Sequence, residues 1–145
     1  MIVQDKGLQL EFEVKTPVVL HADELVVKVT LINVSAAPMR LYLSFLQFPQ
    51  ILLEVRNNEG KPVPLAPPPV PPDLSDPNTR LSLAKGETLP YVYQGRSFFG
   101  GNPLADGEYQ IRFRLDHSFA TAEEWNGVLE SNWLPFKLRS EGAIR

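Results

Sequence analysis

Nucleophilic or acid–base chemistry needs a thiol, an imidazole, or carboxylates that face one another across a substrate. This chain of 145 residues has no Cys and carries His only at positions 21 and 117. Thiolate nucleophiles, disulfides and any Cys/His zinc cage are excluded together. His117 is followed by Ser118, yet neighbours in an extended segment point to opposite faces, and no Gly-x-Ser-x-Gly turn is present to expose a nucleophile. Glu123 and Glu124 are adjacent, so on a helix they diverge instead of flanking a glycosidic bond. They read better as first-turn acids of a short helix, with Thr121 and Glu124 forming a capping box and Asn126-Gly127 ending it. The chain reads as a non-enzyme that needs no cofactor.

Residues suited to binding are better represented. Phe98 and Phe99 precede Gly100-Gly101, Trp125 lies in the short capped turn, and Trp133 projects from an edge strand. Such rings stack on sugars or anchor a protein partner when exposed, or plug the open ends of a core when buried. With Arg96 beside them as a cationic contact, Phe98, Phe99, Trp125 and Trp133 are the candidate binding residues. Asp73, Asp76 and Asn78 place three oxygen side chains in one proline-rich stretch. They could ligate calcium, but the Gly and bidentate Glu of an EF-hand are missing, and Asx turns around Pro77 explain the same residues, so no metal is expected. Lys61-Pro62-Val63-Pro64-Leu65-Ala66-Pro67 has the spacing of a polyproline II ligand, or of a stiff connector. Asn33-Val34-Ser35 matches an N-glycosylation acceptor in a eukaryotic secretory protein, and otherwise starts a turn.

Charge limits the partners further. Fourteen Lys and Arg against 17 Asp and Glu leave a formal net charge of −3. No basic field exists for nucleic acid or an anionic bilayer. No apolar run approaches the ~18 residues of a membrane span, so insertion is not expected. The first residues lack the basic and apolar regions of a secretory signal, and the absence of Cys suits a periplasmic, secreted or cytoplasmic setting alike.

Positioning these residues falls to short strands. Apolar residues alternate with polar ones over 8–15, 24–34, 40–45, 50–56, 80–84, 88–94, 107–116 and 132–138. Leu25, Val27, Val29 and Leu31 mark 24–34 as a central strand. Tyr109, Ile111, Phe113 and Leu115 give the cleanest buried row, with Gln110, Arg112, Arg114 and Asp116 on the opposite face. In the last strand Leu134, Phe136 and Leu138 point inward and Trp133 outward, while Pro135 removes a ladder donor and marks an edge. Asn57-Asn58-Glu59-Gly60 suits a tight hairpin. Eight of the 14 prolines of the chain fall in 61–79, an extended surface connection; 95–106 reads as an irregular loop and 140–145 as a frayed tail. The expected fold is one domain: an all-β, antiparallel, two-sheet immunoglobulin-like sandwich with one short helical turn, a small barrel being the runner-up. Without disulfides its core is held by packing alone.

Several phrases also occur in a familiar order. Leu25-Val26-Val27-Lys28-Val29-Thr30-Leu31-Ile32-Asn33-Val34-Ser35 is similar to the strand and turn of bacterial immunoglobulin-like modules. Leu52-Leu53-Glu54-Val55 with Glu59-Gly60-Lys61-Pro62-Val63, Leu83-Ala84-Lys85-Gly86-Glu87, Asp106-Gly107-Glu108-Tyr109 and Ser131-Asn132-Trp133-Leu134-Pro135-Phe136 follow it. Together, over 8–138, they resemble the non-catalytic sandwich that accompanies the protease domain of peptidyl-Lys metalloendopeptidases. More loosely, they resemble intracellular proteinase inhibitors of the BsuPI type. The resemblance implies a sandwich with a non-enzymatic habit, and no His-Glu-x-x-His stretch occurs here. The expected role is a binding or accessory module for a protein or glycan partner. The alternatives are a proteinase inhibitor acting through a long loop and a structural subunit assembling by edge-strand addition.

Overall fold

Leu8, Leu10 and Phe12 lie two residues apart, and all three are buried on one face of β2 (Leu8–Val14). They do so in a computed structural model that describes residues 2–42, 46, 48–67, 80–101, 103–118 and 124–139. β2 pairs with β1 (Ile2–Asp5) on one side and β4 (Val26–Asn33) on the other, and β4 pairs in turn with β9 (Thr88–Gln94). All three pairings are antiparallel, so Phe12, Val29 and Tyr91 lie side by side across the first sheet. β4 is central, as its doubly apolar sequence implies, with Val27, Val29 and Leu31 in the core.

The second sheet is built on β10 (Gly107–Asp116), whose Tyr109, Ile111, Phe113 and Leu115 are buried in the expected phase. β6 (Leu53–Asn57) flanks it on one side and is followed by β7 (Pro62–Val63); β11 (Val128–Glu130) and β12 (Leu134–Leu138) share the other side. β3 (Val18–Val19) then lies parallel to β12, the one parallel pair among the described strands and a departure from an all-antiparallel expectation. Lys137 and Arg139 donate to the carbonyls of Pro17 and Val19. Pro135 has the same parity and no N–H, so the added strand stops there and leaves the rest of β12 as an edge.

The two sheets pack face to face, Phe12 of the first against Phe113 of the second with ring centres 6.2 Å apart. The result is an all-β sandwich. A separate ribbon of β5 (Met39–Tyr42) and β8 (Arg80–Leu83) closes one side with Leu41 and Leu83. Asn33 ties it on: its amide donates to Ala37 O and Leu83 O at 2.9 and 2.8 Å, and its oxygen accepts from Ser35 N and Oγ. Buried and fully engaged, Asn33 starts a turn and is closed to a glycosyl group as it stands.

Two expectations need correction, and a third falls mostly outside the described residues. The segment expected as a strand from 50 begins as a helical turn, Pro49–Leu52, because Pro49 presets a first helical residue and cannot donate to a ladder. Ile51 therefore stays 38% exposed, and pairing with β10 begins at Leu53. Likewise 95–106 opens with a helical turn, Gly95–Phe99, and is not irregular throughout. The helix expected from Thr121 is not seen in what is described of it: Glu124 lies in a bend, and 121–123 fall outside the described residues. The Asn57 hairpin is present, with Gly60 at φ 82° and the Asn57 side chain accepting from Glu59 N and Lys61 N.

Candidate functional site

The rings proposed from sequence separate into two groups. Phe98 and Phe99 are wholly buried, tilted against one another at 4.7 Å, because the Gly95–Phe99 turn folds them back under the sheets. Trp125 is only 5% exposed and donates its indole N–H to Asp5 O. These three are core residues and, as placed, touch no partner. Arg96 is exposed on the same turn. Asp73, Asp76 and Asn78 lie outside the described residues. Among the described residues no group of three His, Cys, Asp or Glu is placed to hold a metal ion.

Trp133 is different, and β10 explains why. Ile111 faces Leu134 and Arg114 faces Glu130, so two residues of β10 are matched by three, Ser131 to Trp133, on the neighbouring segment. The extra residue is a β-bulge, which re-aims the side chains around it. Ser131 fills the broken ladder: its N–H donates to Phe113 O, and its Oγ accepts from Phe113 N at 3.0 Å and donates to Asn132 O. Trp133 is thereby turned over the outer face of the sheet, where the guanidinium carbons of Arg56 and Arg112 lie 4.2 and 4.5 Å from its ring centre. Both distances are within cation–π range.

The same face carries an ionic ladder. Arg112 makes a two-point contact with Glu54, both distances 3.2 Å, and reaches Glu130 at 3.2 Å. Arg114 contacts Glu130 at 3.0 Å and Asp116 at 3.4 Å. Hydrogen bonds from Ser118, aided by Arg114, hold the Asp116 carboxyl below the usual carboxylate range. Arg56 is bound otherwise: its Nε donates to Gln110 Oε1 at 2.6 Å, and no carboxylate among the described residues neutralises it. Arg56 and Trp133 form one rim of a groove of about 460 Å³, whose other walls include Gln50, Glu54, Val63 and Leu65. Gln50 Oε1 is buried there without a hydrogen-bond partner among the described residues.

His117, the only buried imidazole, lies edge-on to Trp125 at 5.6 Å, and desolvation brings its pKa down to about 4 against the opposing pull of Asp116. Ser118 is exposed and its N–H donates to Asp116 Oδ1, so the two neighbours do face opposite ways. No protein-family model matches the chain, and no curated protein matches it. Of the described residues chosen from sequence, only Trp133 lies on this face. Arg56, Arg112, Glu54 and Gln50 were missed; the outward parity of Arg112 was readable, but not which strands would stand beside it.

Proposed function

We propose that this domain is a non-catalytic binding module whose contact surface is the outer face of the second sheet, centred on Trp133. The observation that carries this reading is an indole brought to the surface by a bulge and held by two guanidinium groups. A large ring costs little side-chain entropy when it is already ordered, which is why such residues dominate binding energies. The ordered phrases that resemble a non-catalytic accessory sandwich support the same role.

The test uses the chain's two tryptophans, one in the core and one at the proposed surface. Capped peptide pools and cello-, chito- and maltohexaose are titrated while the melting midpoint is followed. A ligand of this surface raises the midpoint of the wild type and loses about tenfold in affinity with Trp133→Ala, a change of about 1.4 kcal/mol. Binding that is indifferent to Trp133→Ala, or no response to any probe, overturns the reading.

A further inference from the structure

Three open edges of the sandwich present a proline to the outside. We infer that Pro90 is a guard that keeps β9 from pairing with β9 of a second copy, so that one missing N–H in an otherwise self-complementary strand holds the protein monomeric.

Hydrogen-bond parity fixes which way each strand faces. Gly95 N donates to Leu25 O and Asn33 N to Glu87 O, so the odd-numbered residues of β9 direct their backbone groups towards β4. Thr88, Pro90, Val92 and Gln94 direct theirs away from the sheet. All four are exposed, Val92 at 59%, and no strand lies beyond them among the described residues. Thr88, Val92 and Gln94 therefore offer N–H groups at the edge, with no acceptor among the described residues. Pro90, between them, has none to offer.

The other edges are blocked in related ways. Asn57 N donates to Lys61 O, which makes Val55 and Val63 the next bonded pair and turns the Pro62 nitrogen away from β6. On β12, Pro135 faces the same side as Lys137, whose N–H reaches Pro17 O. β1, β3 and β11 carry no proline but are only four, two and three residues long. Short strands and outward prolines both hinder edge-to-edge pairing.

The need is greatest at β9, the longest strand at an edge of either sheet. Its seven residues carry no charge to repel a copy of themselves. The strand also matches itself in antiparallel order about Tyr91. In that register Tyr91 meets Tyr91 of the second copy, Thr88 meets Gln94, and Pro90 meets Val92. On the outer face polar residues thus oppose polar ones, and apolar oppose apolar. A two-fold axis closes such a pairing into a dimer. The mismatch falls at Pro90, whose ring methylene meets the Val92 carbonyl where an N–H belongs, and symmetry repeats it on the other side of the axis.

The test compares the full chain with Pro90→Val, which restores the N–H and suits a strand. Light scattering at about 1 mM should give 16.3 kDa for the wild type and about twice that mass for Pro90→Val. Amide exchange in the variant should slow at Thr88, Val92 and Gln94. Adding Val92→Pro to Pro90→Val moves the guard by two residues and should return the monomer. Pro90→Thr, measured in the same way, takes the place of Pro90→Val if far-ultraviolet dichroism shows that the latter is unfolded. A wild type that already dimerises, a folded variant that stays monomeric, or a dimer whose protected amides lie outside β9 overturns the inference. So does failure of both variants to fold, because an N–H turned outward at residue 90 costs the sandwich nothing.

Discussion

At the scale of single residues, two positions have consequences that composition does not reveal. His117 is buried beside Trp125 with its pKa brought down to about 4. The folded protein thus excludes a proton that the unfolded chain accepts near pH 6.5. Above 6.5 both states hold the ring neutral and stability is complete; as pH falls from 6.5 towards 4 the unfolded state gains the proton and up to about 3 kcal/mol is lost, with no further loss from this group below 4. Asp116 acts in the next window, since its depressed carboxyl withdraws stability only as pH falls below 3.8. Melting midpoints measured between pH 7 and 4 should therefore fall in the wild type and lose most of that slope in His117→Phe. Gly95 is the second position. A Cβ there would stand 1.9 Å from Ala22 O, which is backbone and cannot step aside, while at Gly60 a Cβ meets open space and only the positive φ is strained. In urea unfolding Gly95→Ala should cost more than about 2 kcal/mol and Gly60→Ala about 1 kcal/mol; equal losses would contradict the packing at Gly95.

Among the elements, the bulge of Ser131 to Trp133 carries the site, and one hydroxyl maintains it. Ser131→Ala leaves the N–H of Phe113 buried without its acceptor, a loss of about 1–3 kcal/mol. It also removes what aims Trp133. The emission of Trp133 should shift to the red, and the affinity of any ligand of this face should fall, whereas Ser131→Thr, which keeps the hydroxyl, should preserve both. A loss of stability without a change at Trp133 would separate the bulge from the site. Strand existence was legible because an alternating row such as 107–116 buries the same parity whatever lies beside it. Neighbours were not legible. Arg112 meets Glu54, 58 positions away, and Glu130, 18 positions away, only after three strands have paired, and no local pattern encodes that. The place of Phe98 and Phe99 stays open in the sequence for a related reason: Gly100-Gly101 signals a turn, but which way the turn folds is decided by the core above it. Pro49 shows the converse, a local helical signal that competes in the sequence with the strand-like apolar phase of Ile51, Leu53 and Val55.

For the whole molecule, the question is what makes two sheets one folding unit without a disulfide. Trp125 supplies part of the answer. Its backbone N–H donates to Arg40 O in β5, its indole N–H to Asp5 O at the end of β1, and its ring packs on His117 just past β10. One residue thus touches the first sheet, the side ribbon and the end of the second sheet. Phe12 and Phe113 join the sheet centres in the same way. If these contacts bind the parts cooperatively, far-ultraviolet dichroism and tryptophan emission must report one urea transition with the same midpoint. Phe113→Ala should lower stability by about 3–5 kcal/mol, a large part of the roughly 5–15 kcal/mol such a domain has, and should move both signals together. Were the sheets independent, the loss of Phe113 would advance one signal and leave the other, and the groove on the second sheet could open without the first. A single shared transition instead means that Trp133 stays aimed until the entire sandwich unfolds, which is what a preorganised surface needs in order to bind without first being ordered.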